Sequence, residues 1–178
     1  IGSGLVGSEM CIRDRKQYKP AIVRGNASEI IALASLWGIE ANACESSCPR
    51  GVDTTDTVEA ARDAAAALAR YTGGAVAVSG KKDLVTDGEK VVYSEGGSEL
   101  MEKVTGFGCS QGGVLAVYAT ATNPFTAALA AVAHYNVAGS RAAKVADAPA
   151  SFKTAFIDEL YRATARDIAD NPFSVEEA

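Results

Sequence analysis

The run "AVAVSG" at residues 75–80 constrains this chain more than any other stretch. Side chains alternate between the two faces of a strand, and here apolar residues occupy both alternations, so neither face suits water. The strand therefore belongs inside a sheet covered on both sides. "AIVRG" at 21–25 is a second short buried-strand candidate and runs directly into "NASEIIALASLWG", a helix that ends at Gly38. In "TTDTVEAARDAAAALARYTGG", Val58, Ala61, Ala65, Leu68 and Ala69 form a helical stripe that Gly73 and Gly74 stop. "DLVTDGEKVVYSEGG" alternates around Asp87-Gly88, the mark of a hairpin, and "SELMEKVTG" reads as one more short strand. From Cys109 onward the pattern is helical to the end, over 109–122, 125–145 and 151–169, with Asn123-Pro124 and Ala148-Pro149 as punctuation. This predicts an α/β fold with a mostly parallel sheet, one antiparallel hairpin and a helical C-terminal third.

Composition narrows the function classes. With 178 residues, 48% of them hydrophobic and 22% charged, the chain suits one globular core. A net charge of −5 supplies no basic stripe for nucleic acid or anionic lipid, so neither is expected as a partner. No uninterrupted apolar run approaches the roughly 20 residues that span a bilayer, and a soluble protein is expected. Residues 1–15, "IGSGLVGSEMCIRDR", share no periodicity with the rest of the chain, and their latter part resembles the translation of a transposase-end sequencing adapter. They are read as a non-native scar, with residues 16–178 as the C-terminal part of a single domain. Without Cys11 the cysteines are Cys44, Cys48 and Cys109, an odd and widely spaced set that fits a reducing compartment, and the cytoplasm is expected. Cys44 and Cys48 form a C-x3-C pair with no second pair or nearby histidine, and are read as loop or helix-end residues.

Three places could carry chemistry. In "VTGFGCSQGG", Gly106-Phe107-Gly108-Cys109 leads into a helix, whose first amides lack intrahelical partners and carry partial positive charge. Glycines there let a phosphate approach the backbone, so the amides of Gly106, Phe107, Gly108 and Cys109 are read as an anion hole; a plain strand-to-helix turn is the alternative. Gly112 and Gly113, unfavourable inside a helix, suggest close packing against the sheet or a ligand. Arg24, at the end of a predicted strand, suits nucleotide phosphates, and Ser79 ends the next predicted strand with a hydroxyl. Asn26 and Glu29 have the spacing of a helix capping box. His134, alone in an alanine-rich helix, is read as a packed side chain.

Taken in order, "AIVRGNASEI", "GVD", "AVAVSGKKDLVTDG", "ELMEKVTGFGCS" and "NPFTAALAAVAHYNVAG" closely resemble the hydroxyethylthiazole kinase family of the ribokinase-like superfamily, over Pro20 to about Leu160. The resemblance implies the C-terminal portion of a ribokinase-like three-layer α/β fold with a mostly parallel central sheet. It implies ATP-dependent, Mg²⁺-assisted phosphorylation of the hydroxyl of 4-methyl-5-(2-hydroxyethyl)thiazole, in the making of thiamine phosphate. Carried over by position, Arg24 and Ser79 contact ATP, Gly106 contacts the thiazole, and Asn26 with Glu29 helps organise Mg²⁺ and its waters. Cys109 stands where many superfamily members carry an aspartate base. Phe107 departs from the family's usual TGTGC or TGAGC turn and is expected to narrow the site. The resemblance further implies a homotrimer. It also implies an incomplete N-terminal part, so the chain alone is expected not to phosphorylate thiazole. The alternatives are another small-alcohol kinase of the superfamily, acting on a hydroxymethylpyrimidine or pyridoxal, and a non-catalytic nucleotide-binding protein.

Overall fold

The computed structural model describes residues 16–39 and 58–177. The scar read into residues 1–15, the Cys44 and Cys48 pair and the "GVD" motif lie outside the described residues.

A sheet of five strands runs in the order β1 (Ile22–Asn26), β2 (Ala75–Ser79), β3 (Asp83–Thr86), β4 (Lys90–Ser94), β5 (Phe173–Glu177). β1 leads into helix α1 (Ala27–Trp37), and a 3₁₀ turn (Val58–Ala61) leads into α2 (Arg62–Thr72) before β2 returns parallel to β1. Val23, Val76, Val78, Leu84 and Val91 pack on this side against Ile30, Ala34, Trp37, Ala65 and Leu68. On the opposite face Ala75, Ala77 and Val85 meet α3 (Phe107–Ala119) and α4 (Pro124–Ala142) through Leu115, Ala128, Ala131 and Val132. Alternation along β2 thus sends valines to one helix layer and alanines to the other, and the paired alanines let α4 lie close to the sheet. Behind α4, an aromatic cluster of Phe107, Tyr135, Phe152 and Phe156 receives α5 (Pro149–Arg162).

The three-layer α/β arrangement agrees with the sequence reading; its details correct that reading in three places. Only β1–β2 is parallel among the described strands, and the other three pairs are antiparallel, because the hairpin at Gly88 and the returning β5 contribute most of the ladder. "SELMEKVTG" is not a strand. Its residues Glu99–Lys103 form a 3₁₀ turn capped by Ser98, whose side chain accepts from the Leu100 amide. The chain after 151 is not helical to the end: α5 stops at Arg162, and Thr164 with Asp167 builds a capping box that starts α6 (Ala165–Ala169). β5 then pairs with β4, anchored by Asn171, whose amide donates to Ser94 Oγ and the Glu95 carbonyl, both at 3.0 Å.

Candidate active site

The site grows out of the parallel register of β1 and β2. Arg24 is paired with Ala77, so Ser79 lies two residues further along on the same face. The Arg24 side chain reaches it, with Nη2 donating to Ser79 Oγ at 2.7 Å. From α3 the buried Gln111 accepts a bond from Arg24 Nε at 3.0 Å, which fixes the plane of the guanidinium. Its remaining edge faces the start of α3: a Cβ on Gly108 would lie 2.9 Å from Nη1 and 3.1 Å from Nη2. A glycine at 108 is therefore needed for the guanidinium to keep this position. Gly106 is required for a different reason, since its φ of 87° is left-handed while a Cβ there would meet nothing within 4 Å.

Two amides of this turn are spoken for. Phe107 donates to the Val104 carbonyl at 3.3 Å and Ser110 to the Gly106 carbonyl at 2.9 Å. Among the described residues nothing accepts from the amides of Gly108 and Cys109, nor does a carboxylate pair with Arg24. The anion hole read from the sequence thus loses Phe107 as a donor. A guanidinium and the positive end of a helix face one another with no negative group between them. That juxtaposition is unfavourable unless an anion joins them, and an anion there gains from both.

Other site residues stand differently from the sequence reading. Gly106 does not follow a strand, because the segment before it is the 3₁₀ turn. Phe107 does not narrow the site: its ring is buried at 4.5 Å from Phe156 and 5.9 Å from Phe152, anchoring the turn to α5. Cys109 is exposed in the first turn of α3. A Cβ on Gly112 or Gly113 would meet nothing within 4 Å, so neither glycine is explained by close packing against the sheet. Asn26 and Glu29 form the full capping box, the Glu29 amide donating to Asn26 Oδ1 and the Asn26 amide to Glu29 Oε2, each at 2.8 Å. Asn26 Oδ1 and Glu29 Oε2 are thereby engaged in the cap. The pair is a helix cap, as its spacing predicts. His134 is a packing residue, as read: Nε2 donates to the Leu160 carbonyl at 2.8 Å, which leaves Nδ1 to accept from Tyr118 at 3.1 Å.

Sequence reasoning missed Gln111. The available signal was a glutamine midway between Phe107 and Leu115, at the four-residue spacing of the buried helix face.

The sequence model described as "HK: Hydroxyethylthiazole kinase family" matches residues 7–166. The chain belongs to the hydroxyethylthiazole kinase family. Among relatives of this family, the hydroxyethylthiazole kinase of Bifidobacterium longum (strain DJO10A) is 44% identical, over 90% of this chain and 57% of the relative. That of Corynebacterium glutamicum (strain R) is 46% identical, over 85% of this chain and 55% of the relative. The solved structure of the hydroxyethylthiazole kinase protein from Pyrococcus horikoshii OT3 superposes with a TM-score of 0.70 at 29% identity, covering 88% of this chain and 54% of that one. The chain thus spans a little over half the length of these hydroxyethylthiazole kinases.

Proposed function

We propose that residues 16–178 form part of one kinase domain that transfers the terminal phosphoryl group of ATP to the hydroxyl of 4-methyl-5-(2-hydroxyethyl)thiazole. The observation that carries this reading is the pairing of Arg24 with the unoccupied amides of Gly108 and Cys109, with Ser79 on the far side of the guanidinium. Bound there, ATP supplies the phosphoryl donor. Phosphoryl transfer passes through a loose transition state and asks the protein for positioning and charge stabilisation above all. Arg24, held rigid by Gln111 and Ser79, offers a fixed cation, and the two amides offer neutral donors from the opposite side, all preorganised before charge develops. Gly106 borders the alcohol, and exposed Cys109, as its thiolate, would accept the alcohol's proton at Sγ and become the thiol. ATP arrives with Mg²⁺, but no step is assigned to Asn26 or Glu29, which serve α1. The family resemblance also supports a homotrimer and a cytoplasmic location. Among the described residues no helix is long and apolar enough to cross a membrane.

Thermal unfolding with ATP alone and with ATP plus the thiazole alcohol tests the reading. Stabilisation by ATP that grows when the thiazole alcohol is added, and not when a hydroxymethylpyrimidine or pyridoxal replaces it, is the expected result. A shift with ATP but no second-ligand effect would favour the nucleotide-binding protein instead. In the complete enzyme, near-normal turnover of Cys109→Ser would remove Cys109 from the proton-transfer role.

A further inference from the structure

Asp83 opens β3 at the end of the sheet where Ser79 closes β2. Between them the chain turns in three residues, and the turn has no slack: a Cβ on Gly80 would lie 2.2 Å from Val58 Cγ2. The Gly80 amide donates to Asp83 Oδ1 at 3.0 Å, closing the turn on itself. From α4 the buried Asn136 donates to Ser94 Oγ at 3.1 Å, on the residue paired with Asp83 across β3 and β4. The carboxylate is close enough to Arg24 to feel its charge, although no ion pair forms between them. Burial pushes the carboxyl up to about 6, against the opposing pull of the Gly80 amide, Asn136 and Arg24. Asp87 and Gly88 build the other turn, between β3 and β4, so the β2–β3 corner next to Ser79 is left to Asp83.

We propose that Asp83 is a positioning residue of the phosphate site: its carboxylate clamps the Ser79–Gly80 corner and holds the Arg24 guanidinium, through Ser79 and by charge, toward Gly108. Arg24 has two side-chain anchors, Gln111 on α3 and Ser79 on β2. Gln111 is fixed by helix packing, whereas Ser79 ends its strand and depends on the corner beyond it. Asp83 is the group that closes this corner, through the Gly80 amide. The consequence for ligand binding rests on the phosphoryl-transfer reading above; the consequence for Arg24 does not.

The experiment tracks the Arg24 Nε–H resonance in ¹⁵N-labelled full chain, without ligand and during titration with inorganic pyrophosphate. The variants are Asp83→Ala, Asp83→Asn and, as a control in the same polar network, Ser94→Ala. Asp83→Ala is expected to speed Nε–H exchange about tenfold and weaken pyrophosphate binding about tenfold, while Ser94→Ala stays within about twofold on both. Asp83→Asn keeps an oxygen for the Gly80 amide and loses the charge, and is expected to fall between them. Unchanged exchange in folded Asp83→Ala, or an equal effect from Ser94→Ala, overturns the proposal. Should Asp83→Ala fail to fold, Asp83→Asn decides: wild-type exchange overturns the proposal, and accelerated exchange supports it. If the wild-type chain does not bind pyrophosphate, the phosphoryl-transfer reading fails, while the exchange measurement still judges Asp83.

Discussion

The Arg24 guanidinium fills the space that a side chain at Gly108 would need, with Nη1 2.9 Å from where that Cβ would stand. Two residues far apart in the chain are thus complementary in shape, one long and cationic, the other lacking a side chain. Gly108→Ala is expected to displace the guanidinium from Ser79 while leaving the fold intact, because the atom that must move ends a flexible side chain. Pyrophosphate or ATP affinity should fall by more than about tenfold with a stability change under about 1 kcal/mol, read by calorimetric titration and urea unfolding.

Glycines elsewhere in the molecule separate into two kinds. Gly112 and Gly113 lie on an open face of α3, where a Cβ meets nothing within 4 Å, so alanine at either should stabilise by roughly 0.5–1 kcal/mol. A Cβ on Gly139 would lie 2.7 Å from Met101 Sδ and 3.0 Å from the Gly97 Cα; the sulfur can yield but the backbone cannot. Gly139→Ala is expected to cost about 1–3 kcal/mol, and urea midpoints of the three variants should fall on opposite sides of the parent.

Asp83 makes stability depend on pH in a defined direction. Its carboxyl is pushed up to about 6 in the folded protein from an ordinary 3.8, so the native state holds the proton more tightly than the unfolded chain. The resulting stabilisation is complete below the unfolded value and is lost as pH rises through about 6. Asp83→Asn does not titrate there. Between about pH 4 and 7.5 its stability relative to the parent should therefore rise, by up to about 3 kcal/mol, as followed by chemical denaturation across that range.

His134 joins three helices through one ring, bonding Tyr118 of α3 and the Leu160 carbonyl of α5 from its place in α4. His134→Ala leaves both partners unsatisfied and is expected to cost roughly 2 kcal/mol. The loss should appear in hydrogen exchange first at the end of α5, because Leu160 lies within the last turn of that helix.

Local signals carried a good part of the fold. Apolar runs bounded by glycine located β1 and β2, Asp87-Gly88 located the hairpin, and the Asn26–Glu29 spacing announced its cap, because each of these is decided by a few neighbouring residues. β5 was not legible: "FSVEE" is short and largely exposed, and becomes a strand through pairing with β4 and the hold of Asn171 on Ser94 and Glu95, residues remote in sequence. Glu99–Lys103 misled for the converse reason, since a cap at Ser98 outweighs a weak strand pattern.

The same division runs through the site. The order and kind of residues at Arg24, Ser79 and Gly106–Cys109 pointed to a phosphate-binding turn, since glycines before a helix and a strand-end arginine are informative without coordinates. Which amides remain available, that Gly108 makes room for Arg24, that Phe107 turns into the aromatic cluster, and that Gln111 and Asp83 belong to the arrangement were decided only by the tertiary structure. The physical reason is distance along the chain: a glycine's local freedom is written in its own residue, whereas the partner of a hydrogen bond or a close approach is chosen when the sheet and helices pack.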